Sequence, residues 1–138
     1  MVSDDVAEGP RRVRRVRVLI ADDLEDHRAL LRARLDNDDR FQVVGEARDG
    51  AEAVRMAEEL EPDAVVLDLS MPVMDGFEAL DGIRQRAPRS KVVVLSEHPA
   101  EASAARAYDA GAFAYLEKST ALRTIATVLA PLSPIEYE

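Results

Sequence analysis

Five times along the chain a short apolar run gives way to a segment of helical periodicity, and this alternation constrains the fold more than any other feature. The runs are 16–21 (VRVLIA), 41–46 (FQVVGE), 64–67 (AVVL), 92–95 (VVVL) and 113–116 (FAYL). Three are nearly continuous in apolar residues, as strands buried on both faces are. Between them lie helical stripes: Leu24, Leu31 and Leu35 with Leu30 beside them; Ala53, Val54, Ala57 and Leu60; Phe77, Leu80 and Ile83; and last Leu122, Ile125, Ala126 and Leu129. Pro62 and Pro88 close the second and third stripes, Pro99 stands where a helix begins, and Gly111 stands where it ends. Strands and helices in strict alternation predict a parallel sheet covered on both faces, with right-handed crossovers. There is no internal repeat.

The 138 residues suit one domain, large enough to bury a core without a staple. Zero Cys excludes disulfides, thiolate metal sites and a thiol nucleophile. Two His are too few for a His-rich metal site, and the net charge of −9 argues against nucleic-acid binding by the chain as a whole. No apolar run approaches a membrane span, and no signal peptide is visible, so a cytoplasmic protein is expected. We read 1–13 as a disordered tail, 14–130 as the folded domain and 131–138 as a short tail that leaves no room for a further domain. Arg11, Arg12, Arg14, Arg15 and Arg17 read as a solvated flank running into the first strand.

In an open parallel sheet, ligands bind beyond the carboxyl ends of the strands, where strand order reverses. The polar residues that follow the apolar runs are Asp22 and Asp23, then Asp68, then Ser96, and finally Lys118 close after the fifth. Any one of these alone is most often a cap, a turn residue or a surface charge. Together they bring three carboxylates, a hydroxyl and an ammonium to one edge. Two carboxylates 4 Å apart repel by roughly 4 kcal/mol at an effective dielectric of 20, so the cluster needs counter-charge. Lys118 supplies one positive charge, and an all-oxygen donor set suits Mg²⁺. A carboxylate can attack phosphorus to give an acyl phosphate. The residues alone therefore point to a Mg²⁺-assisted phosphoryl site with an Asp acceptor.

The motifs VLIADD (18–23), VVLDLSMPVMDG (65–76), VVVLS (92–96) and AGAFAYLEK (110–118) resemble the receiver domain of bacterial two-component response regulators. The resemblance covers about 16–129. It implies an α/β, flavodoxin-like (βα)5 doubly wound sheet with strand order 2-1-3-4-5. By the same resemblance Asp68 is the phosphoacceptor, and Asp22, Asp23, Asp68 and the Ser70 backbone carbonyl hold Mg²⁺. Asp23 is then the direct ligand and Asp22 acts more through water. Ser96 and Lys118 contact the phosphoryl group, Ser96 and Tyr115 are the switch residues, and Pro72 and Gly76 match the loop and helix after the acceptor strand. A sensor histidine kinase is the implied phosphodonor. The surface formed by helix 4, strand 5 and helix 5, roughly 99–130, meets an output protein or a second copy of the chain. The implied protein is not a turnover enzyme: it catalyses its own phosphorylation and slow hydrolysis.

Some residues depart from the family pattern. Glu97 stands where a small residue is usual and is expected either to narrow access or repel an anionic donor, or simply to point to solvent. His98, with Ser70, flanks the site and is expected to tune the lifetime of the phosphorylated state. His27 reads as a surface or boundary residue. The Ala-rich fourth helix, 99–110, buries little area and is expected to dock weakly. Gly82 inside the third helix is expected to cost up to about 1 kcal/mol relative to Ala. Two alternatives stay open: a phosphorylation-independent interaction module, and the receiver part of a longer DNA-binding regulator. A haloacid-dehalogenase-type phosphatase would have Asp where Ser70 stands. A dinucleotide enzyme would have a Gly-rich turn where Asp22 and Asp23 stand.

Overall fold

The computed structural model describes residues 11–71, 74–97, 101–133 and 135–137. In chain order the elements are β1 (Arg11–Val13), β2 (Val16–Ala21), α1 (Glu25–Asp36), β3 (Phe41–Ala47), α2 (Gly50–Leu60), β4 (Ala64–Asp68), α3 (Gly76–Arg86), β5 (Lys91–Ser96), α4 (Glu101–Asp109), β6 (Ala114–Glu117), α5 (Ala121–Leu129) and β7 (Ile135–Tyr137). A 3-10 turn at Lys118–Thr120 leads into α5. The main sheet runs β3-β2-β4-β5-β6, all pairs parallel. Counting its five strands alone, this is the expected order 2-1-3-4-5. The order reverses at β2 and β4, the strands that end beside Asp22 and at Asp68.

Alternating side chains on the strands build two cores. On one face Leu19, Val65, Leu67, Val92 and Val94 pack with Ala53, Val54 and Ala57 of α2, Leu80 and Ile83 of α3 and Ala107 of α4. On the other face Val18, Ile20, Val66, Val93 and Leu95 pack with Leu31 and Leu35 of α1 and Ile125 and Leu129 of α5. The central strand β4 is buried along its whole length, as its unbroken apolar run requires.

Local chemistry sets the helix ends. The Asp49 side chain caps α2 by accepting from the Glu52 N–H at 2.8 Å. Asp75 and Glu78 form a reciprocal capping box on α3. Helix α2 stops at Glu61, which takes the left-handed conformation just before Pro62. Gly111 (φ 102°) follows α4, a backbone state that favours glycine. An added Cβ on Gly76 would lie 2.4 Å from the Leu69 Cα, so glycine lets α3 start close against the loop after Asp68.

Three features differ from the sequence expectations. The first concerns α1, which starts at Glu25, so Leu24 is its N-cap and is 51% exposed; Leu30 is 54% exposed on the outer face. The inner position one turn before Leu31 belongs to Arg28, which is buried. The second is the last strand of the main sheet, which sits one residue later than expected and leaves Phe113 exposed. The third concerns the tails. Residues 11–13 were expected to be disordered and 131–138 to be a plain tail, but β1 and β7 pair antiparallel, with Arg11 opposite Tyr137 and Val13 opposite Ile135. A pairing between the two ends of the chain leaves no local periodicity to read. Among the described side chains of α4, Ala107 alone is buried, in line with the small buried area expected there. Pro72, His98 and Pro99 lie outside the described residues.

Candidate phosphoryl site

Each polar residue that follows an apolar run reaches the same edge of the sheet. Asp22 leaves β2 with its N–H donating to the Ala47 carbonyl at 3.0 Å. Asp68 is the last residue of β4, Ser96 the last of β5, and Lys118 directly follows β6. Oxygens of Asp22, Asp23 and Asp68 all lie within 4.8 Å of one another. Asp22 and Asp68 are fully buried, Ser96 is nearly so, and Asp23 is exposed.

The two buried carboxylates are held in the same way. Asp68 Oδ1 accepts from the Ser70 N–H at 2.9 Å, and its Oδ2 accepts from Lys118 Nζ at 2.9 Å. Asp22 Oδ1 accepts from the Leu24 N–H at 2.9 Å, and its Oδ2 accepts from His27 Nδ1. In each case a turn N–H two residues on takes one oxygen and a basic side chain takes the other. Lys118 Nζ also lies 3.6 Å from Asp22 Oδ1. Burial pushes the Lys118 amine down, but the hydrogen bond and charge of Asp68, with Asp22 and Glu97 behind them, outweigh it and raise the pKa. Lys118 therefore stays a cation between two buried carboxylates.

The donor set fits a hard divalent cation: three carboxylates converge, no thiolate is present, and the imidazole beside them turns its bonding nitrogen to Asp22. Glu97 is exposed and, with Leu24, His27, Lys118 and Ser119, lines a shallow pocket at the mouth of the site. Tyr115 is half-buried on β6 against the core that α2, α3 and α4 share. Its N–H donates to the Tyr108 hydroxyl of α4 at 3.2 Å.

The contacts of three residues escaped sequence reasoning. Arg28 reaches under the site, donating from Nη1 to the Asp22 carbonyl at 2.8 Å and from Nε to Glu46 Oε1 at 3.0 Å. Tyr108 ties α4 to the backbone of the expected switch residue. His27 sits at the boundary, as expected, with its side chain 15% exposed, but its hold on Asp22 was not foreseen. The available signal was spacing, since positions 27 and 28 fall in the first turn of a helix that begins just after Asp23.

A doubly wound sheet with an acidic, lysine-bearing cluster at its switch point defines a phosphoryl-handling α/β domain. The family model of the response regulator receiver domain matches residues 18–130. The chain is 41% identical over 105 residues to the transcriptional regulatory protein YhcZ of Bacillus subtilis, covering 76% of this chain and 49% of that protein. It is 38% identical over 111 residues to the response regulator protein VraR of Staphylococcus aureus, covering 80% and 53%. The signal receiver domain of NarL from Mycobacterium tuberculosis superimposes with a TM-score of 0.80 at 31% identity, covering 85% of this chain and 94% of that one. The chain belongs to the response regulator receiver domain family, the phosphoryl-accepting switches of two-component signalling. It spans about half the length of the curated relatives it matches. Receiver domains bind Mg²⁺ at an acidic cluster of the kind that Asp22, Asp23 and Asp68 form here. Among the described residues no helix is long and apolar enough to cross a membrane.

Proposed function

We propose that Asp68 accepts a phosphoryl group from a phosphohistidine on a sensor histidine kinase. The observation that carries this is the fully buried Asp68 held by Lys118 at 2.9 Å inside a three-carboxylate group. A carboxylate oxygen of Asp68 attacks phosphorus; the P–O bond forms as the P–N bond to the kinase imidazole breaks, and that imidazole leaves. Mg²⁺ bound by Asp22, Asp23, Asp68 and the Ser70 carbonyl supplies neutralisation of the phosphoryl oxygens. Asp23, exposed, is the readier direct ligand. Both oxygens of Asp22 are already engaged, which suits a role through water. Lys118 transfers its hydrogen bond from Asp68 to a phosphoryl oxygen. Ser96, buried at the end of β5, donates its hydroxyl to another.

These displacements draw the ends of β5 and β6 inward and bias a two-state balance in α4, β6 and α5. Tyr115 is the switch aromatic, and the Tyr108 hydroxyl on its N–H couples α4 to it. The surface at 99–130 then changes its affinity for an output protein or a second copy. Ser70 and His98 tune the lifetime of the phosphoryl group. The chain works in the cytoplasm as a switch, with self-hydrolysis and no turnover of an external substrate. A second reading, the receiver part of a DNA-binding regulator, is favoured by one finding: the match to about half of a transcriptional regulatory protein.

The test is intact mass after incubation with Mg²⁺ and a small acyl-phosphate donor. A single phosphoryl adduct in the wild type and none in Asp68→Asn is the expected result. An adduct that persists in Asp68→Asn overturns the assignment. Absence of any adduct from this donor and from a kinase phosphohistidine leaves the phosphorylation-independent module.

A further inference from the structure

We propose that His27 is a positioning residue for the cation site, acting through Asp22. This rests on the reading of Asp22, Asp23 and Asp68 as the Mg²⁺ site and adds a residue to it.

A carboxylate oxygen only accepts, so the contact between His27 and Asp22 Oδ2 requires the proton on Nδ1. The other ring nitrogen, Nε2, is buried with no partner among the described residues. The bond to Asp22 is thus the polar contact that orients the ring, and in return the ring fixes Asp22. With the Leu24 N–H on Oδ1 and His27 on Oδ2, both oxygens are pinned and the carboxylate cannot turn about its last torsion. Each oxygen keeps a further lone pair for a cation or its water shell. Asp68 is pinned by the same device, but its basic partner is Lys118.

The consequence lies in Lys118, which sits 3.6 Å from Asp22 Oδ1 and 2.9 Å from Asp68 Oδ2. With His27 removed, Lys118 is the side-chain donor left beside the Asp22 carboxylate, while Arg28 stays on the Asp22 carbonyl. The carboxylate then turns toward Lys118, draws it off Asp68, and leaves the three-oxygen cluster out of register. Groups that orient a ligating carboxylate from behind typically contribute about 10- to 100-fold in metal affinity.

The experiment is Mg²⁺ titration calorimetry on the full chain, comparing wild type, His27→Leu, His27→Asn and, as a reference, Asp23→Asn. His27→Leu keeps much of the volume and removes the donor. His27→Asn places an amide N–H near the position of Nδ1. We expect His27→Leu to weaken Mg²⁺ binding about 10-fold or more and His27→Asn to recover most of the loss. Equal or tighter binding by His27→Leu overturns the proposal and leaves the Mg²⁺ reading standing. Equal losses in both variants also overturn it, because packing and not the donor is then at work. No Mg²⁺ binding by the wild type overturns the proposal and the Mg²⁺ reading together. A readout independent of the variants is ¹⁵N NMR of the wild-type imidazoles, simplified by there being only two His. A protonated His27 Nδ1 whose resonance moves on Mg²⁺ addition supports the proposal; an unprotonated Nδ1 overturns it.

Discussion

Glu97 is the residue at which this site differs most plainly from a bare phosphoryl pocket. It is exposed at the mouth, shares that pocket with Lys118, and its charge reaches the Lys118 amine. A negative charge there repels an anionic donor that approaches Lys118. Glu97→Ala is therefore expected to speed adduct formation from a small acyl phosphate by about two- to fivefold at low ionic strength, and by less at about 0.15 M salt, where exposed charges are screened. Rates equal at both salt levels contradict it. The residues that directly end strands were legible, because Asp22, Asp68, Ser96 and Lys118 each stand at or just past a recognisable apolar run. His27, Arg28 and Tyr108 were not, because their contacts depend on helix phase. Once α1 begins at Glu25 and not at Leu24, Arg28 takes the inner face and His27 turns back onto the strand end.

At the scale of elements, the packing of α2 on α3 reverses an expectation. Local propensity makes Gly82 a weak point in α3. In the structure, a Cβ there would lie 2.9 Å from Val54 Cγ2. Val54 is β-branched, buried and on the facing helix, so it has little freedom to yield. Gly82→Ala gains up to about 1 kcal/mol of helix propensity and loses about 1–3 kcal/mol to overpacking. We expect a net destabilisation of about 1 kcal/mol in urea unfolding, from the balance of those two terms; a stabilised variant contradicts the close approach. The alternation of strands and helices was readable because β4 and β5 are buried on both faces and their apolar runs have no polar interruption. The start of β6 was less so, since Phe113 carries a strand-like side chain yet stays exposed.

For the whole molecule, one contribution to the acid side of the stability profile comes from Glu46 of β3, which binds Arg28 and Arg32 of α1. Burial pushes the Glu46 carboxyl up, but hydrogen bonds from Arg32 and Arg28 outweigh it, and its pKa falls below the ordinary 4.5. A lowered folded-state pKa means that the unfolded chain takes up the proton first. The stabilisation is present above pH 4.5 and is lost as pH falls through the folded value. Glu46→Gln should lower stability at neutral pH and make it less steeply dependent on pH in that acid window, as thermal unfolding between about pH 3 and 7 would read; an unchanged acid limb contradicts the assignment. The pairing of β1 with β7 has a mechanical consequence. Arg11 faces Tyr137 at the outer end of the ladder, Arg12 faces Glu136 next, and Val13 faces Ile135 innermost. Tension applied to the two ends of the chain therefore meets this ladder as a zipper, one pair at a time, and not in shear. The clasp yields first and at low force, and the parallel sheet that carries the aspartates bears load only after it has opened.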